Sequence, residues 1–160
     1  MPLNTTYSLE PDAAIKGMVA DSRRGFNTIT AIAGADLLPG KLVTRSAGKA
    51  VIPSAAGDFI IGSTIWTTTL VQPETGDAVW EADKAVPVTQ ADPIWLEAQE
   101  AIAQDALVYA VISGAGNIAG DVKSTAGADT TTLPVGRAET ATTGAAQLIR
   151  VKLLPALQGA

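Results

Sequence analysis

The stretch LPVGRAETATTGAAQLIRVKL, Leu133 to Leu153, decides how this part of the chain folds. From Gln147 to Leu154 the cations Arg150 and Lys152 alternate with apolar residues. This period of two is typical of a half-buried strand whose cations face water. Arg137 and Glu139 are two positions apart, so we expect them to share a strand face and to pair. An active site, a binding loop and a barrel-closing strand pair all remain open at this point.

Short aliphatic and β-branched runs, separated by turns, fill most of the preceding chain. Leu38-Pro39-Gly40-Lys41 is a turn, because Pro fixes φ and Gly tolerates positive φ. Pro87 lacks an N–H group, which makes its strand an edge or bulged strand. This spacing of strands and turns predicts an antiparallel barrel or sandwich. The predicted strands are Asn27–Ile32, Leu42–Arg45, Ala50–Ile52, Phe59–Trp66, Lys84–Thr89 and Ala106–Ile112.

The segment PIWLEAQEAIAQDA, Pro93 to Ala106, fits two structures. Its Ala, Glu and Gln residues favour a helix by intrinsic propensity. Ile94, Leu96 and Ala98 also alternate with other residues, as they would in a strand. The residues alone leave helix and strand open.

The composition excludes several classes of function. The chain contains no Cys and no His, so it can form neither a disulfide framework nor a Ser-His-Asp triad. Its formal net charge of -5 argues against nonspecific nucleic-acid binding. No basic-apolar leader and no apolar run of roughly 18 residues are present, so we expect a soluble protein made in a cytoplasm, without membrane contact.

No motif predicts a catalytic or cofactor site. The glycines of GAGNIAG, Gly114 to Gly120, lack the dinucleotide-binding spacing and no helix pattern follows them, which predicts a surface loop. The loose cluster of acids has no calcium-loop spacing and predicts solvent-facing carboxylates. We therefore predict no catalytic residue, no metal and no cofactor. The clustered acids are Asp77, Glu81, Asp83, Glu97 and Glu100.

Four phrases, taken in order, resemble the structural cement (capsid decoration) proteins of tailed bacteriophage heads. The resemblance spans Gly17 to Leu154, leaving residues 1–16 outside it. The phrases are GMVAD with NTITAIAGADLLPGKLV (Gly17 to Val43), FIIGSTIW (Phe59 to Trp66), VPVTQADPIWLEAQEAIAQDALVYAVISGAG (Val86 to Gly116) and LPVGRAETATTGAAQLIRVKL.

The resemblance implies a mostly β fold, an antiparallel β-barrel or jelly-roll-like sandwich. It implies that Ile94 to Ala98 form a strand and Gln99 to Asp105 a connection, against helix propensity. Gly136 to Glu139 would then be a strand, Thr140 to Gly144 its turn, and Gln147 to Leu154 the closing strand. We expect an extended N-terminal arm at residues 1–16 and a single β domain at 17–160.

The resemblance also implies a non-enzymatic virion protein. It would bind the outer surface of the phage capsid and cement neighbouring major capsid protein subunits, associating with itself as a dimer or trimer. The alternatives are a tail-tube or head-completion protein, a carbohydrate-binding β-module, and a hydrolase that uses two carboxylates facing each other in a cleft. Aromatic and large apolar residues often anchor interfaces. The candidate interface residues are Trp66, Trp80, Trp95, Tyr7 and Leu9.

Overall fold

The structure, a computed structural model, describes residues 14–20, 27–67, 70, 78–91, 93–112 and 118–154. The regular elements in these ranges are all strands, so the described residues include no helix able to span a membrane. The strands are β1 (Thr28–Ile32), β2 (Leu42–Ser46), β3 (Lys49–Val51), β4 (Ile60–Thr64), β5 (Ala85–Thr89), β6 (Pro93–Ala98), β7 (Leu107–Ala110), β8 (Val122–Lys123), β9 (Gly136–Ala138) and β10 (Gln147–Leu153).

The first five strands form one antiparallel sheet in the order β1-β5-β4-β2-β3. Its two edges approach each other, because Ala33 and Ala50 form a parallel bridge just beyond β1. The aliphatic side chains on one face pack into a buried cluster that includes Val43, Val86 and Val88. The alternation in the sequence therefore corresponds to a sheet with one buried face.

The last five strands close into a barrel in the order β10-β6-β8-β7-β9. All pairings are antiparallel except that of β6 with β8, at Ala98 and Val122. Ile94, Leu96 and Ile149 are among the fully buried side chains of its core. The predicted mostly β fold with an antiparallel barrel is confirmed.

The ambiguous segment from Pro93 to Ala106 is a strand followed by a connection. Ile94, Leu96 and Ala98 are buried inside the barrel, so burial outweighs the helix propensity of this segment. The connection returns the chain to β7, and Asp105 within it has a φ of 65°. Its backbone N–H donates to the Ala138 carbonyl at 2.9 Å, which holds this turn against β9.

The prediction of an edge position for the Pro87 strand is wrong. β5 lies between β1 and β4. The Pro87 carbonyl accepts a hydrogen bond from Ile65 N at 3.1 Å, just beyond the residues that pair β4 with β5. In an antiparallel strand the N–H and C=O groups of one residue point toward the same neighbouring strand, which for Pro87 is β4. The missing N–H of Pro87 therefore removes one hydrogen bond at the end of the β4–β5 pairing and none between β5 and β1.

β2 connects the two halves of the described chain. Val43 packs into the cluster of the first sheet, while its neighbour Leu42 packs into the core of the barrel. Leu42 N also donates to the Gly120 carbonyl at 2.8 Å. Successive side chains of a strand point to opposite faces, so this one strand contributes to both cores.

Candidate interaction surface

An apolar groove of about 750 Å³ lies between the first sheet and the barrel. We call it the Phe59–Leu133 groove. Three large apolar side chains at the groove are exposed: Phe59 at 41%, Leu133 at 60% and Leu154 at 45%. Its lining residues are Ala56, Gly57, Asp58, Phe59, Ile60, Gly62, Gln90, Thr132, Leu133, Pro134, Val135, Leu153 and Leu154.

Hydrogen bonds fix the first-sheet wall of the groove. The Asp58 carboxylate accepts from the N–H groups of Ser54 and Ala55, at 2.7 and 2.9 Å, which closes the turn before β4. Thr44 Oγ1 donates to the Phe59 carbonyl at 2.7 Å. The Phe59 backbone is therefore held in place while its ring faces solvent.

The barrel wall is held in the same way. Thr131 Oγ1 donates to the Leu133 carbonyl at 3.0 Å, and Leu154 N donates to the Val135 carbonyl at 3.0 Å. Thr132 N donates to the Ala56 carbonyl at 2.8 Å, which ties the two walls together. Hydrogen bonds to backbone groups hold both walls in place, so the groove is part of the fold itself.

Sequence reasoning missed this groove because it concentrated on tryptophan. The predicted strand Phe59–Trp66 also includes Phe59, whereas β4 begins at Ile60 and Phe59 is exposed. The available signal was Leu133 in the segment TTTLPVG, where a large apolar residue follows three threonines in a turn region. The residues next to Leu133 in the sequence do not form an apolar strand or helix face that would bury its side chain, so exposure could have been expected.

The three tryptophans are all half-buried, and they lie at different places in the fold. Trp80 packs against the core of the first sheet, and its Nε1–H donates to the Ile65 carbonyl at 3.1 Å. Trp95 is on β6, opposite Arg150 of β10. Trp66 lines a smaller pocket of about 330 Å³ together with Lys16 and Glu97. Tyr7 and Leu9 lie outside the described residues.

Trp66 and Trp95 are connected through the segment around Gly17. Gly17 N donates to the Trp95 carbonyl at 2.8 Å, and the Gly17 carbonyl accepts from Trp66 N at 2.8 Å. Lys16 Nζ lies 2.6 Å from the Glu97 carboxylate. The Trp66 pocket is thus built where the segment 14–20 meets the barrel.

The charges in the opening stretch have structural partners, although they do not pair with each other as predicted. Glu139 forms an ion pair with Arg150, whose Nε lies 2.5 Å from its carboxylate. Arg137 donates to the Asp105 carbonyl at 2.7 Å. Glu139 lies just beyond β9, so the i, i+2 rule for a strand does not extend to it.

Other acids also stabilise the fold. Glu100 Oε1 accepts hydrogen bonds from Ser124 N, Ser124 Oγ and Thr125 N, each at 2.8 Å. Burial raises the pKa of Glu100, but these donors outweigh it and hold the pKa below its usual value. Burial lowers the pKa of Lys41 and raises that of Asp121, opposed in each case by their mutual ion pair.

Within the described ranges, no group of three or more acidic residues is arranged to hold a metal ion. Most of the glycine-rich loop lies outside those ranges. Its last residue, Gly120, has positive φ, and its N–H donates to the Val111 carbonyl at 2.8 Å. Gly120 therefore joins β7, β2 and the start of β8.

The sequence profile of the family described as "Structural cement protein (E217 gp24/Pam3 gp6)" matches residues 3–154. The chain belongs to the structural cement protein family. The match also includes most of residues 1–16, so the prediction that this segment lies outside the resemblance is wrong. No curated protein matches the chain.

A solved structure has a fold similar to that of this chain. A chain of the capsid of Myoviridae phage XM1 is similar to this one, with a TM-score of 0.70 and 20% identity. The similarity covers 98% of this chain and 100% of that chain. The predicted family and the predicted role as a structural protein of the phage virion that stabilises the capsid are confirmed.

Proposed function

We propose that this cement protein binds the outer surface of the assembled, expanded phage head and joins neighbouring major capsid protein subunits. The family match over residues 3–154 is the observation that carries this proposal. The fold supports this proposal, because β2 places side chains in the cores of both the first sheet and the barrel. A connector that transmits force between two subunits needs its own two halves to stay together.

The physical role would be to offset outward pressure in a DNA-filled head. Each contact need bind only modestly, since many equivalent contacts on a symmetric shell act together. A connector bound across two subunits leaves the head only when both of its contacts are open at the same time. Stabilisation of the whole head can therefore exceed what one interface of ordinary size would suggest.

The proposed role requires no catalysis. The structural partners of Glu97, Glu100, Asp121 and Glu139 support a non-enzymatic protein, because these carboxylates are occupied in holding turns and strands together. The net charge of -5 supports a protein partner over nucleic acid. No membrane contact is part of the proposal.

The proposal includes an arm, a domain and self-association. Residues 17–160 would act as one domain, and residues 1–16 as an arm that carries Tyr7 and Leu9 to the capsid. Trp66 is the tryptophan best placed as an anchor, because it lines an open pocket. The protein would be made in the host cytoplasm and assemble as a dimer or trimer at capsid symmetry axes.

Co-sedimentation with expanded heads that lack the protein tests this function. We expect saturable binding in a fixed ratio to the major capsid protein and a raised melting temperature of the heads. Heads that already carry the protein are the matched control and should bind no more. Failure to bind heads, together with self-assembly into rings or retention on a glycan column, would contradict the proposal.

A further inference from the structure

We propose that the Phe59–Leu133 groove binds an uncharged apolar segment of the major capsid protein. This inference rests on the proposed function and names the surface through which it acts. The groove carries three of the large apolar side chains that are exposed in the described chain. Burying them would supply the hydrophobic part of the contact.

Charge complementarity defines the chemistry of the occupant. Asp58 is the one ionisable side chain among the described residues that line the groove. Its carboxylate already accepts two backbone N–H groups. A charged segment would lose its hydration here without gaining a partner, whereas an uncharged apolar one would lose little.

The end of β4 beside the groove lies beyond the residues that pair β4 with β5. β5 pairs with β4 at Ser63 and Thr64, while Ile60 and Gly62 line the groove below that pairing. On this side the Ile61 carbonyl accepts from Gln90 Nε2 at 3.4 Å, a long contact. A segment entering there would contact the Ile60 and Gly62 end of β4 without pairing with it as an added strand, because β4 lies between β5 and β2.

The extent of the family match favours the capsid protein over other occupants. Every lining residue, from Ala56 to Leu154, lies inside the matched range of 3–154. Residues 155–160, which follow the groove wall directly, lie outside that range. The groove thus lies within the part of the chain that matches the family, whereas those six residues lie outside it.

Leu133→Asp tests the groove, with Leu107→Asp as the matched control. Leu107 is also an exposed leucine, at 40%, but it lies on β7 away from the groove lining. We expect Leu133→Asp to weaken binding to expanded heads by about tenfold or more and Leu107→Asp to leave it unchanged. Thermal unfolding of both variants, compared with the wild type, verifies that they fold.

A photo-crosslinking amino acid at position 133 identifies the occupant. On heads, we expect a covalent product with a peptide of the major capsid protein, identified by mass spectrometry, and none from the same group at position 107. Crosslinking to a second copy, or to residues 155–160 of the same chain, would overturn the inference. So would wild-type affinity of Leu133→Asp for heads. If the wild type itself does not bind heads, the proposed function fails first.

Discussion

Lys41 and Asp121, 80 positions apart in the sequence, form an ion pair between the start of β2 and the start of β8. Lys41 Nζ lies 2.5 Å from Asp121 Oδ1, and the two side chains are 4% and 0% exposed. Gln99 Nε2 donates to the second carboxylate oxygen at 2.8 Å. The pair therefore joins the first sheet to the barrel inside the protein, where neither charge can be hydrated.

Asp121→Ala should lower the free energy of unfolding by about 3–5 kcal/mol, because it leaves the Lys41 ammonium group buried without a partner. The double variant Lys41→Met/Asp121→Leu should recover most of this loss. Urea denaturation at neutral pH measures both. Asp83→Ala removes an equally short but exposed ion pair with Lys49 and is the control. An equal loss for Asp83→Ala and Asp121→Ala would contradict a special role for the buried pair.

Gly62→Ala should lower the free energy of unfolding by roughly 2–4 kcal/mol, combining a steric clash with backbone strain. The φ of Gly62 is 150°, and a Cβ there would lie 2.1 Å from the Thr89 carbonyl oxygen. Gly144→Ala is the control, since a Cβ at that site meets no atom within 4 Å. Calorimetry should show a lower melting temperature for Gly62→Ala alone, and equal melting temperatures would refute the steric argument.

Glu100→Gln should destabilise the protein by roughly 1–2 kcal/mol at neutral pH, because three hydrogen bonds to a carboxylate become bonds to a neutral oxygen. The folded pKa of Glu100 lies below its ordinary value of 4.5. Its contribution is therefore present above pH 4.5 and lost as pH falls through the lowered pKa.

Denaturation curves at several pH values test the sign of this effect. The gap in stability between wild type and Glu100→Gln should narrow as the pH falls below 4.5. Glu81→Gln, which removes the same charge at an exposed position, should show a smaller gap at neutral pH. A gap for Glu100→Gln that widens in acid would mean that the hydrogen bonds do not favour the carboxylate.

Trp66→Ala should weaken binding to expanded heads by about tenfold, since buried aromatic residues carry much of the energy of an interface. Trp80→Ala should instead lower the free energy of unfolding by about 3 kcal/mol, because its ring packs on the first-sheet core. Head co-sedimentation and urea denaturation of both variants separate the two roles. Unchanged head binding by a folded Trp66→Ala variant would remove Trp66 from the interface.

Local patterns were enough to locate the strands but not to assign them to sheets. The alternation from Gln147 to Leu154 predicted β10 within one residue. Nothing in the run Leu42–Val43 shows that these neighbours enter different cores, because the other buried residues of the core that Leu42 joins lie from Ile94 onward. The same limit explains Glu139, which pairs across to Arg150 and not with the nearby Arg137.

The candidate surface was harder to predict than the fold for a related reason. Trp80 is a residue type that often anchors interfaces. Here its indole N–H donates to the Ile65 carbonyl and its ring packs against the first-sheet core. Phe59 and Leu133 come from distant segments, and they line the same groove only because the first sheet packs against the barrel. Whether an apolar side chain is exposed depends on which segments of the folded chain pack over it. A single sequence does not show that packing.

The division of strands between sheet and barrel follows the order of synthesis. The first sheet uses residues 28–89, and the barrel strands come from residues 93–153. On a ribosome, the first sheet can form while the barrel is still incomplete. The hydrogen bond from Leu42 N to the Gly120 carbonyl and the Lys41–Asp121 ion pair form only after Gly120 and Asp121 have emerged. β10 pairs with both β6 and β9, so a nascent chain that stalls before Gln147 exposes two unpaired strand edges.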